Sequence, residues 1–148
     1  MIVSVIVSIK EIVAKGRDFP WPRPEACPRC HGHRVWGHGF VAAFFDGFAD
    51  EALLRRYRCP DCRCVLRLRP SGFFKRFQAS IKTIRDCIVY RLANSRWPKA
   101  ISHTRQGHWL RSLYRKTLAY FGQGWKDRLL EGFDYLVRMD EIPVSRRI

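Results

Sequence analysis

Cys27-Pro28-Arg29-Cys30 and Cys59-Pro60-Asp61-Cys62 decide how this chain of 148 residues is read. Two residues between cysteines let both sulfurs of one tight turn face a single ion, and a pair of such turns closes a tetrahedral four-sulfur site. The pairs are separated by 28 residues, more than the roughly 15–20 of the common spacing, so the spacing predicts a hairpin extension over 40–54.

Zn²⁺ is the cofactor expected of this set. A rubredoxin-like iron site is the first competitor, although His31 and Arg63 stand where such knuckles usually carry Gly. A disulfide is the second, and it suits a secreted chain. Met1 to Ile9 lacks the basic start and small-residue cleavage site of a signal peptide, which points to a reducing, cytoplasmic compartment where spaced cysteines hold metal. Cys64 falls on the strand after the second pair and reads as a small packed side chain, and Cys87 as a buried apolar group. His31, His33 and His38 surround the first pair and are read as surface or phosphate-contacting groups, with substitution for a cysteine ligand as the other reading.

Outward from the knuckles, the β-branched run 2–7 suits a short strand. Ser8-Ile9-Lys10-Glu11 has capping-box spacing, so 9–15 should be a short helix ended by Gly16. Pro20, Pro22 and Pro24 make 17–25 an extended linker. Leu66 and Leu68 alternate with Arg67 and Arg69 as in a half-exposed strand, stopped by Pro70. Beyond Phe73 the period becomes helical: Phe77, Ile81, Ile84, Ile88 and Leu92 mark a helix over 76–94. Pro98 opens a short helix over 98–104, Arg105-Gln106-Gly107 reads as a turn, and a helix follows over 107–121. A fourth would bury Trp125, Leu129, Leu130, Phe133, Leu136 and Val137, leaving 139–148 extended or loose. The expected fold is α+β: an N-terminal strand, helix and linker (1–25), a small zinc ribbon of short antiparallel strands (26–70), and a helical helix-turn-helix cluster (71–148).

Apolar residues make up 47% of the chain, yet no run approaches the ~18 needed to span a membrane. The net charge is +15, and all of it lies between Arg55 and Lys116, where 17 basic residues face only Asp61 and Asp86. A segment so basic seeks a polyanion. Arg55, Arg56, Arg58, Arg67 and Arg69 on the ribbon, with Lys75 and Arg76 after it, are expected to clamp phosphates. His108, Arg111, Ser112 and Arg115 recur one turn apart on the third helix, opposite its leucines, where arginine reaches guanine edges in a major groove. Charge alone does not separate DNA from RNA. Trp97 and Trp109 read as packing anchors. No Ser/His/Asp or Cys/His set stands out, and Asp46, Asp50 and Glu51 read as a solvated turn, so no catalysis is expected.

Taken in order, Cys27-Pro28-x-Cys30, Trp36-Gly37-His38-Gly39, Arg56-Tyr57-Arg58-Cys59-Pro60-x-Cys62 and the helices after them resemble the zinc-ribbon and helix-turn-helix N-terminal region of bacterial insertion-sequence transposases and their small accessory DNA-binding proteins. The likeness covers about residues 19–121 and is most specific at the Arg-Tyr-x-Cys-x-x-Cys element. It implies zinc on Cys27, Cys30, Cys59 and Cys62, and double-stranded DNA on the helices. A transposase, or a second copy of the chain, would be the protein partner, and the location the nucleoid. The acidic catalytic core of a transposase has no room in this length, so binding without strand transfer is what the likeness implies.

Overall fold

A computed structural model describes residues 1–147, which form an α+β protein of two compact units, Met1–Ser80 and a helical one beginning at Ile81. The first is built on a mixed sheet of β1 (Ile2–Val5), β2 (Trp36–Ala43), β3 (Ala52–Arg58) and β4 (Val65–Pro70), in the order β1-β4-β3-β2. β2 and β3 are the hairpin that the long cysteine spacing demanded, and β4 pairs antiparallel with β3 across the second Cys-Pro-x-Cys turn.

β1 adds parallel to β4, with Ile2 opposite Arg67 and Val5 opposite Pro70. Residues 1–25 are therefore not a separate segment: their strand covers the edge of β4 that the ribbon alone would leave open. Helix α1 (Ile9–Lys15) starts where the Ser8 hydroxyl accepts from the Glu11 N–H at 3.4 Å. It ends at Gly16, whose φ of 55° lets its N–H reach the Ile12 carbonyl. One apolar cluster gathers Ile12, Phe19, Phe45, Ala52, Leu54 and Phe73; a second gathers Val35, Tyr57, Leu66 and Leu68 around Cys27 and Cys59.

The helix expected from residue 76 begins only at Ile81. The preceding turns are held to the sheet instead: Phe73 packs edge-on against Phe45 at 4.5 Å, Arg69 donates to the Phe77 carbonyl, and the Gln78 carbonyl accepts from the Asp46 N–H. Arg76, at φ 70°, also stands in the left-handed region, which a right-handed first turn cannot include.

The second unit comprises α2 (Ile81–Asn94), α3 (His103–Phe121) and α4 (Leu129–Arg138). The short helix expected over 98–104 does not form. The Gln106 amide takes the carbonyls of Pro98 and Ile101 at 2.9 and 2.6 Å, and Ser102 caps α3 by accepting from the Arg105 N–H. Arg105-Gln106-Gly107, expected as a turn, is thus the first part of α3, and the trihelical arrangement drawn from the sequence is replaced by a loop between two helices. The tail is not loose either. Lys116, with its side chain 3% exposed, reaches the Glu141 carboxylate at 2.9 Å, the Ile142 carbonyl at 3.0 Å and the Ser145 hydroxyl at 3.2 Å, while Val144 is buried.

The Lys116 ammonium holds the Glu141 carboxyl below its ordinary range. A depressed carboxyl stabilises the fold above its unfolded value of about 4.3 and loses that contribution as pH falls through the folded value. Glu141→Gln is therefore expected to melt at a lower temperature than the parent at pH 7, with the gap narrowing toward pH 3. Helical circular dichroism on heating at the two pH values reads it.

Candidate metal centre and basic surfaces

Each Cys-Pro-x-Cys turn is closed by the same backbone device. The Cys27 N–H donates to the Gly32 carbonyl at 2.9 Å and the Cys59 N–H to the Cys64 carbonyl at 3.0 Å. The residue after each second cysteine is left-handed, with φ 61° at His31 and 59° at Arg63. Glycine is the residue usually found in that conformation, but here neither position is Gly. In return the Gly32 and Cys64 N–H groups aim at the sulfurs of Cys30 and Cys62.

The two turns face each other. Sγ of Cys27 lies 3.6 Å from that of Cys62, Cys30 lies 3.5 Å from Cys59, and all four sulfurs fall within 4.8 Å of one another. A disulfide would bring a pair to about 2.05 Å, and all six cysteines are free thiols. Sulfurs about 2.3 Å from a tetrahedral ion stand roughly 3.8 Å apart, so the donor set fits one thiophilic metal ion.

The charges within the quartet are unequal. Burial raises the Cys27 thiol, but the Arg29 and Cys30 N–H groups outweigh it and bring it down to about 7. The Cys64 N–H favours a Cys62 thiolate, yet burial and three neighbouring sulfurs push Cys62 up to about 12. Cys27 is ready to ionise while Cys30 and Cys62 resist, because several anions this close need a cation between them. Arg34 and Asp61 join the turns outside the sulfurs at 2.5 Å, and a Cβ at position 32 would run into the Asp61 carboxylate. Cys64 stands outside the quartet, half-buried against the cluster of Val35, Tyr57, Leu66 and Leu68, and Cys87 is buried on α2.

The basic residues singled out from the sequence part company in the structure. Arg55 lies 4.7 Å over the Phe40 ring and 5.5 Å over Tyr57. Arg69 is buried, 4.8 Å over Phe45, and donates to the Phe77 carbonyl. It is a packing cation and not the phosphate clamp expected, because β4's outward row meets the 71–80 turns there. Arg56 and Arg67 are half-buried and directly opposite each other, while Arg58 is exposed opposite Trp36. Lys75 and Arg76 are exposed on a turn rather than a helix.

On α3, Arg111 and Arg115 are exposed, but Ser112 is buried and cannot read a base: the buried stripe runs through Gln106, Trp109, Leu113, Lys116 and Thr117, rotated from the row of leucines. Burial and the cations Arg146, Arg111 and Arg115 press His108 below its usual value, so it stays neutral at pH 7. The sequence reading missed Trp36 and Arg63 as site residues. With Gly37, His38, Arg58 and Pro60 they line a cavity of about 350 Å³; an aromatic residue among glycines on an edge strand was the available signal.

No protein family matches the chain, and neither a curated protein nor a solved structure does. Among the described residues no helix is long and apolar enough to cross a membrane.

Cobalt titration of the reduced chain is expected to saturate at one equivalent, with the intense visible bands of a tetrahedral thiolate site. Cys30→Ser or Cys59→Ser should lower affinity at least tenfold and loosen the first unit, whereas Cys64→Ser should leave the spectrum unchanged.

Proposed function

We propose that the chain is a non-enzymatic, zinc-dependent DNA-binding protein, associated with transposition as an accessory, a regulator or a catalytically truncated relative of transposases. The observation that carries the reading is the run of 17 cations against two acids that begins beside the second cysteine pair. Its two acids are already engaged, Asp61 by Arg34 and Asp86 by Lys82. Arg58, Arg63, Lys75, Arg76, Arg111 and Arg115 remain exposed after folding. Within each unit, exposed cations without acidic partners repel one another unless a polyanion covers them.

Zinc suits the quartet because its four soft thiolates, with no open position, make a structural site. Visible absorption by the purified chain would mark iron instead. α3 supplies the reading element, with Arg111 and Arg115 presented toward base edges. Arg56, Arg58 and Arg67 on the ribbon and the Lys75-Arg76 turn supply phosphate contacts, and a transposase or a second copy of the chain completes the complex on element ends.

Binding without chemistry is favoured by the carboxylates. Asp61, Asp86, Glu131, Asp134 and Glu141 each pair with a Lys or Arg. Among the described residues the cysteine quartet is the one grouping of His, Cys, Asp or Glu suited to a metal. Strand transfer needs carboxylates clamping two ions, so magnesium-dependent cleavage of duplex is expected to be absent.

Affinity for duplex should fall with salt at a slope of about −0.9 per phosphate contacted. Lys75→Ala and Arg76→Ala should each reduce that slope by about one and weaken all sequences alike. Arg111→Ala or Arg115→Ala should cost about 1–3 kcal/mol on a site selected from random duplex and blunt discrimination. Equal effects of all four on selected and random duplex, or competition by RNA in preference to DNA, would remove this reading.

A further inference from the structure

Beside the second cysteine turn, the bare part of the sheet carries a site of its own. We propose that the cavity around Trp36 takes one unpaired nucleobase stacked on the indole, with its phosphate on Arg58 and Arg63. Trp36 is 59% exposed, on the outermost strand of the sheet. Its cross-strand partner is Arg58, and directly paired residues share a face. The cavity between Trp36, Gly37, His38, Arg58, Pro60 and Arg63, about 350 Å³, lies within the roughly 300–1,000 Å³ of small-ligand sites.

Three features hold it open. Strand register slips between Gly37 and Phe40, where Gly39 takes φ 76°, and a bulge of this kind re-aims the side chain beside it, here His38. Arg55 lies across Gly37, where an added Cβ would displace the end of its guanidinium. Arg63 is set by the left-handed end of the cysteine turn and so is positioned through the metal site.

The chemistry of the lining selects the ligand. Two exposed guanidiniums, with no ion pair to either among the described residues, and an exposed imidazole surround one aromatic face. No carboxylate lines the cavity, so a cationic ligand gains little there. An indole face flanked by arginine is how sequence-tolerant sites hold single strands. A duplex keeps its base faces inside the stack and leaves this indole uncovered. The site deepens the nucleic-acid reading above but turns on Trp36, which the duplex reading does not use, so the two can fail separately.

The test uses the full metal-loaded chain and the labelled probes dT10, rU10 and a blunt 20-base-pair duplex, followed by anisotropy. Trp36→Ala should weaken single-strand binding about tenfold or more, the loss of one base–aromatic stack. Trp36→Phe should retain most of it, and Arg63→Ala should lower the single-strand salt slope by about 0.7. Duplex binding should be unchanged in Trp36→Ala, and an unaltered cobalt spectrum shows that the variants keep the fold. Preference for dT10 or for rU10 identifies the strand, and either supports the stack. Duplex binding without single-strand binding, or single-strand binding untouched by Trp36→Ala, would overturn this site alone; no binding of any probe would overturn the nucleic-acid reading as well.

Discussion

Four sulfurs within 4.8 Å of one another are the constraint on which the first unit depends. The two turns that carry them are far apart in sequence, and closing such a loop costs chain entropy that a sheet this small is poorly placed to offset alone. An ion shared by the four sulfurs would supply the closure and make metal binding part of folding. Because the second turn lies between β3 and β4, and Cys27 and Cys59 sit in the same apolar cluster as Tyr57, Leu66 and Leu68, such an ion would tie the strands together as well as the loops.

The arginines show how a fold sorts a charged segment. Arg55 and Arg69 are drawn over aromatic rings, Arg85 is taken by Asp134, and Lys116 is buried against the tail. These cations act as packing pieces with long apolar stems, and their charge is met by rings, carbonyls or carboxylates. What is left at the surface is a smaller set, on the sheet beside the cysteine turns, on the turn after β4, on the loop between α2 and α3, and on α3. Arg56 facing Arg67 across the strands is an arrangement that costs stability without an anion above it.

The cysteine turns, the capping of α1 and the alternation of β4 were legible because each is local: a two-residue spacing, a Ser three residues before Glu, a period of two. The start of α2 and the missing helix over 98–104 were not. Phe73 and Phe77 keep a helical period, but the carbonyls around them are committed to Arg69 and Asp46. Pro98 suits a first turn, but Gln106 takes its carbonyl. In both places groups outside the expected helix took backbone carbonyls that local propensity had assigned to it.

By itself the sequence determined the donor set, its tight turns, the hairpin between them, the basic segment and the α+β order, since these rest on residue type and short spacing. Only the tertiary structure decided that the first strand runs parallel to β4, that Ser112 and Arg69 are buried, and that Trp36 stands open beside Arg58. Those outcomes depend on which surface finds a partner, and a strand edge, a helix face or a guanidinium has no partner until distant parts of the chain have met.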